Sequence, residues 1–138
     1  MTESRAVLDP NVLISALLSP HGASAAIVTR WLGGEFEFVV SAKLLAELAR
    51  ALRYPKLRSR IGDEEASALV DLLRRTAAVV EDAAEAPRRS RDPGDDYLLA
   101  LAEASAAVLV SGDRHVLALT DLQITSPADF LARLGPAG

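Results

Sequence analysis

Short apolar runs alternate with helix-patterned segments along this whole 138-residue chain, and that alternation restricts the fold more than any other feature. Parallel strands need a crossover between them, and helical crossovers are right-handed and cover the faces of the sheet. The fold class this predicts is α/β: a three-layer sandwich with a five-stranded parallel sheet and helices on both faces. Strands are expected at residues 5–8, 36–40, 77–80, 106–110 and 123–125. Helices are expected at 11–18, 23–32, 42–53, 62–75 and 95–104, with a brief helical turn after Asp113 and a last helix opened by the capping box Ser126-Pro127-Ala128-Asp129. Pro10, Gly33-Gly34 and Tyr54-Pro55 supply the punctuation, and residues 81–94, with two prolines and Arg88, Arg89 and Arg91, read as a loop.

Residues 1–138 fall within the size of one domain, and with 50% hydrophobic residues they can bury a core without disulfides or structural zinc. The absence of cysteine removes thiolate zinc sites, iron–sulfur clusters and cysteine nucleophiles. Only His21 and His115 offer imidazole, so metal chemistry has to rest on Asp and Glu, which favour hard cations such as Mg²⁺ or Mn²⁺. The polar start Met1-Thr2-Glu3-Ser4-Arg5, and the lack of an apolar run long enough to span a bilayer, predict a cytoplasmic protein with no membrane association. A net charge of −4 argues against a globally basic nucleic-acid-binding module, yet it is compatible with acids gathered around a cation.

The acids stand where function would put them. In open α/β sheets the ligand crevice lies beyond the carboxyl ends of the strands. Asp9 directly follows Val7-Leu8, and Asp113 follows Val108-Leu109-Val110 after Ser111-Gly112. Glu47 shares a helical stripe with Leu44, Leu48 and Ala51, where a carboxylate is costly unless it is paired or binds a cation. Two readings of Glu47 stand: a site ligand, or a residue at the stripe's edge that reaches water or pairs with Arg50 or Arg53. Around the start of the 95–104 helix, Asp95 shares a face with Leu98, Leu99 and Ala102 and is the better site candidate, with Asp96 pointing away behind it.

Four segments carry a resemblance: Val7-Leu8-Asp9-Pro10-Asn11 to Ala16, Phe38 to Leu48, Arg91-Asp92-Pro93-Gly94-Asp95-Asp96 to Ala102, and Leu109 to Arg114. In this order they resemble PIN-domain proteins, and within them the VapC-like toxin components of toxin–antitoxin systems. The resemblance implies that strands one and four are adjacent, so that Asp9, Glu47, Asp95 and Asp113 meet as catalytic and metal-binding residues of an Mg²⁺- or Mn²⁺-dependent endoribonuclease. Products with a 5′-phosphate and a 3′-hydroxyl would follow. Asn11, Asp92, Asp96 and Ser111 would stand behind these acids, Asn11 by holding Asp9 or a water. The chemistry suits the residue types: phosphodiester hydrolysis needs activated water, neutralised phosphate charge and a stabilised leaving oxygen, which oxygen-ligated divalent ions provide. The resemblance also implies a small antitoxin partner and a homodimer.

Departures from the family pattern accompany it. Pro10 stands where relatives carry Thr or Ser, which removes a hydroxyl. His115 stands where they usually carry Asp, either as a further ligand or phosphate contact or as a surface residue. These changes support an alternative, a catalytically degenerate PIN module that binds RNA or a protein partner without cleavage. A haloacid-dehalogenase-like phosphatase is disfavoured, because Asn11 occupies the place of its second Asp and the only lysines are Lys43 and Lys56. Arg50, Arg53, Lys56, Arg88, Arg89 and Arg91 are candidates to guide an RNA strand, against the reading that they are ordinary solvated charge. Trp31 and Tyr54 read as core or dimer-packing residues rather than base-stacking platforms.

Overall fold

The computed structural model describes residues 4–119 and 122–136. Within them five parallel strands form one sheet in the order β3-β2-β1-β4-β5: β1 (Arg5–Leu8), β2 (Glu37–Val40), β3 (Ala78–Val79), β4 (Val108–Val110) and β5 (Ile124–Thr125). The winding reverses at β1, which pairs with β2 on one side and with β4 on the other. Strands one and four are therefore adjacent, with Ala6, Val7 and Leu8 opposite Val108, Leu109 and Val110. Almost every residue of β1, β2 and β4 is buried, as a parallel sheet covered on both faces requires.

The helices are α1 (Pro10–Leu18), α2 (Ala23–Leu32), α3 (Ala42–Ala51), α4 (Pro55–Arg58), α5 (Asp63–Thr76), α6 (Asp96–Ala104), α7 (Arg114–Leu117) and α8 (Pro127–Leu134). Right-handed crossovers put α1, α2, α3 and α5 on one face, where α1 packs on α2 and α3, α3 on α5, and α8 on α2. α6 belongs to the opposite face and packs against β1 and β4. The core is drawn from both layers, with Leu13, Ile27, Leu44, Leu48 and Leu73 from one side, Leu99 and Leu101 from the other, and Phe38, Val7 and Leu109 from the sheet. Trp31 joins it, its ring edge-on to Phe38 at 5.3 Å. No single helix among the described residues is long and apolar enough to cross a membrane.

The expected elements are present, and the differences are at their ends. β2, β3, β4 and β5 are each shorter than expected by one or two residues. The expected 42–53 helix stops at Ala51, and Pro55 opens the separate short helix α4 instead of only ending α3. Residues 93–95 form a 3-10 turn that leads into α6. Tyr54, expected in core or dimer packing, is 53% exposed and so does not belong to the core.

Two helices end in the same backbone motif with different residues. At the end of α2 the Glu35 amide donates to Arg30 O and the Gly34 amide to Trp31 O, with Gly34 at φ 80°. At the end of α6 the Ala107 amide donates to Ala102 O and the Ala106 amide to Glu103 O, with Ala106 at φ 52°. A residue with a β-carbon is strained in this left-handed region, where glycine is not. Ala106 is exposed, so its methyl group contributes no buried contact to offset the strain. Ala106→Gly should therefore stabilise the protein by ~0.5–1 kcal/mol, and Gly34→Ala should destabilise it by a similar amount, both read from urea unfolding midpoints.

Candidate active site

β1 and β4 deliver two carboxylates side by side. The Asp9 amide continues the ladder by donating to Val110 O at 3.0 Å, so Asp9 stands next to the end of β4. Its side chain caps α1: Oδ1 accepts from the Asn11 amide at 3.0 Å, and Pro10 occupies the first helical turn, where its missing N–H costs nothing. Asp9 is only 6% exposed, and burial is the main reason its carboxyl is pushed above the usual aspartate range. The hydrogen bonds from Asn11 and Ser111 oppose that shift, and the charge of Asp113 adds to it.

Ser111 ties the two acids together. Its fully buried hydroxyl donates to Asp9 Oδ2 at 3.1 Å, and its Oγ accepts the Asp113 amide, also at 3.1 Å. Asp113 in turn caps α7 by accepting the His115 amide at 2.8 Å. Ser111 supplies the side-chain hydroxyl that reaches Asp9. Asn11 serves Asp9 through its main chain, while its exposed side chain lines the cleft. That cleft holds about 390 Å³ between the start of α1 and the end of β4, and is lined by Asp9, Asn11, Ser15, Ser24, Gly112 and Asp113. A larger cleft of about 640 Å³ between α3 and α5 also carries two acids, Asp63 and Asp71, but these are ion-paired with Arg58 and Arg74.

Asp95 comes from the third element. It ends the 3-10 turn ahead of α6 and accepts no capping hydrogen bond. Its carboxyl is pushed up to about 6, by partial burial first and then by the negative charges of Asp9, Asp92, Asp113 and Asp96. Asp9, Asp95 and Asp113 thus form one mutually repelling group at the point where the winding reverses.

The neighbouring acids divide into different roles. Asp92 is exposed and caps Gly94 at 2.9 Å. Asp96, 3% exposed, faces away from the cleft and anchors the preceding loop. Its Oδ1 accepts the Arg89 amide at 3.1 Å, the Ser90 amide at 2.8 Å and the Ser90 hydroxyl at 2.7 Å, while Arg88 Nε lies 3.2 Å from Oδ2. Burial would raise its carboxyl, but these bonds and the Arg88 charge hold it below the ordinary range. Glu47 sits part-buried on α3 and is ion-paired with Arg50, so the edge-of-stripe arrangement is the one found. Its charge still bears on Tyr97, the residue after Asp96.

Of the basic candidates, Arg50, Arg88 and Arg89 are engaged by Glu47, Asp96 and Glu103, whereas Arg53, Lys56 and Arg91 are exposed and have no ion pair among the described residues. His115 is exposed. Three further residues border the site. Tyr97 is buried with its phenol pushed upward, by burial first and then by the charges of Glu47, Asp9, Asp82 and Asp95. Lys43 places Nζ 4.8 Å from the centre of the Tyr97 ring, and Asp82, beyond β3, accepts the Lys43 amide at 3.0 Å. The sequence signals for these were slight: Tyr97 adjoins the Asp95-Asp96 pair, and Lys43 precedes Glu47 by one helical turn.

A PIN domain family model matches residues 5–115. The chain belongs to the PIN domain family. It is 25% identical over 138 residues to the uncharacterized protein MJ1680 of Methanocaldococcus jannaschii, covering 92% of this chain and 89% of that protein. Among solved structures it resembles PAE2754 from Pyrobaculum aerophilum (TM-score 0.65, 22% identity, 96% of this chain and 89% of the other). It also resembles VapBC2 from Rickettsia felis bound to a DNA fragment from their promoter (TM-score 0.61, 16% identity, 88% and 98%). VapBC-1 from nontypeable Haemophilus influenzae is similar in the same way (TM-score 0.60, 19% identity, 90% and 98%). At these identities the structural likenesses establish the fold.

Two predictions follow from the acids. In EDTA, Asp95 holds its proton more tightly folded than unfolded, so its contribution to stability is present at low pH and lost as pH rises through about 6. Asp95→Asn should raise the melting temperature by a few degrees at pH 8 and leave it nearly unchanged at pH 4, measured by thermal circular dichroism. Asp96→Ala strands the buried Ser90 amide and the part-buried Arg89 amide, while the Ser90 hydroxyl keeps Asp92 O as its acceptor, and should destabilise the fold by ~2–3 kcal/mol in urea titrations at neutral pH.

Proposed function

We propose that this PIN-domain chain is a divalent-cation-dependent endoribonuclease, the toxin of a toxin–antitoxin pair, with Asp9, Asp95 and Asp113 at its catalytic centre. The observation that carries the reading is the gathering of these three carboxylates, from β1, the start of α6 and the end of β4, with Asp95 raised to about 6 by partial burial first and then by the neighbouring negative charges. Such an arrangement destabilises the fold unless a cation or protons relieve it, which is typical of a functional site.

The residues fit a hard divalent cation by donor type, since all are oxygen ligands, and by charge. Among the described residues no group of three or more His, Asp or Glu is already close enough to enclose an ion, so binding would draw the carboxylates inward. Asp9, Asp95 and Asp113 would hold the ion, and Glu47 would join them on release from Arg50. Activation of water and neutralisation of phosphate charge are what a divalent cation would supply there. Ser111 fixes Asp9 and the Asp113 main chain relative to each other, so two of the acids enter binding pre-oriented. Asp95, beside Asp9 and Asp113, would complete the ligand set and help orient the attacking water. Asp96 holds the segment that carries Arg88–Arg91 against α6. Arg53, Lys56 and Arg91, exposed and unpaired among the described residues, are the proposed guides for the RNA backbone, with Arg50, Arg88 and Arg89 available once their acids find other partners.

The similarity to VapBC complexes supports a small antitoxin as partner, and we extend it to a homodimer acting in the cytoplasm. The Glu47–Arg50 pair favours the alternative, a PIN module that binds RNA or a protein without cutting it. Cleavage of end-labelled mixed-sequence RNA in Mg²⁺ or Mn²⁺ separates the two. The expected result is cutting that EDTA abolishes and that Asp113→Asn reduces to background, with 5′-phosphate ends. No cutting in either metal by folded protein that still binds RNA would leave the binding module.

A further inference from the structure

Lys43 is the cation near the acids that the proposed chemistry does not use. It lies in the first turn of α3, where a cation opposes the helix dipole, so helix stability does not explain it. The negative partner this helix end needs comes from elsewhere: Asp82, far along the chain, accepts the Lys43 amide. The ammonium has no carboxylate within ion-pairing distance among the described residues, unlike Arg50, Arg88 and Arg89. It is held over the Tyr97 ring at 4.8 Å, a cation–π contact that orders the side chain and leaves its N–H donors unused. Tyr97 follows Asp95-Asp96 directly, and Lys43 stands one turn before Glu47 on the same face of α3. An exposed, ordered and unpaired cation therefore borders a group of carboxylates that on its own repels polyanions.

We propose that Lys43, steadied by the Tyr97 ring, is a phosphate-contacting residue that holds the backbone of a single-stranded RNA at the rim of the acidic cleft. The inference rests on the ribonuclease reading and adds to it the contact that lets a polyanion approach three acids. A lysine meets phosphate as a point charge and discriminates little between bases, so the contact contributes affinity and register rather than sequence choice.

The test is fluorescence anisotropy with a labelled single-stranded RNA of mixed sequence, in EDTA, between ~50 and ~200 mM KCl. Parent protein is compared with Lys43→Met, Lys43→Arg and the charge-matched control Arg133→Met, a position exposed on α8. Lys43→Met should weaken binding ~3- to 10-fold at the lowest salt and reduce the slope of log K against log salt by ~0.7, one single-strand phosphate contact. Lys43→Arg should restore both, and Arg133→Met should change neither. In Mg²⁺ the same Lys43→Met substitution should raise KM with little change in kcat. Because Lys43 is exposed, the substitutions leave the core intact, which thermal melts verify. If Lys43→Met binds RNA with the parent's affinity and slope, or if Arg133→Met weakens binding equally, the assignment to Lys43 is wrong while the ribonuclease reading stands. If the parent neither binds RNA at any salt concentration in EDTA nor cuts it in Mg²⁺ or Mn²⁺, the ribonuclease reading fails together with this inference; if it cuts RNA with no binding in EDTA, an unchanged KM for Lys43→Met overturns the assignment to Lys43.

Discussion

The pairing of β1 with β4 is the interaction on which everything else depends. It joins strands separated by most of the chain and reverses the direction in which the sheet is wound, which opens a crevice beyond their carboxyl ends. The ladder does not stop where the strands do: the Asp9 amide still bonds to Val110 O, and the Ser111 amide to Thr125 O. Asp9 and Ser111 are thus positioned by the sheet's own hydrogen bonds, and a rigid scaffold holds the start of the site in place.

Around that junction stability and function pull against each other. Three carboxylates share a partly buried space, and two of them are forced toward holding protons. Cap hydrogen bonds and the Ser111 hydroxyl offset part of the cost, and the rest is unfavourable unless a cation arrives. Asp96, next to Asp95, is the counterexample: more deeply buried, it is held ionised by hydrogen bonds from Ser90 and Arg89 and by the Arg88 charge. Adjacent residues on one helix start therefore take opposite roles because they face opposite environments.

Much of this was legible in the chain. Alternating apolar runs and helical segments specified a parallel sheet, and Asp9, Asp113 and Asp95 could be picked out because acids at strand ends and on a core-facing helix stripe are conspicuous. Segment ends were less legible, since β3 and β5 keep only the two residues that actually pair. Glu47 was ambiguous for a physical reason: a stripe's edge and its centre differ by a fraction of a turn, and only packing against a neighbour decides which a residue occupies. Tyr54 was misjudged because Pro55 started a new surface helix there instead of simply closing α3.

What the sequence alone determined is what local rules govern: the class of fold, the capping box at Ser126, the residue types able to bind a hard cation, and the motifs, in order, that resemble the PIN domain family. Tertiary structure alone decided which groups share a dielectric and a field. It made Ser111 the link between Asp9 and Asp113, engaged Arg50 and Arg88 with acids, and set Lys43 over Tyr97 through contacts between residues 54 positions apart in sequence. Charge, burial and repulsion depend on distance in space, and periodicity along a chain carries no record of that distance until the strands have paired.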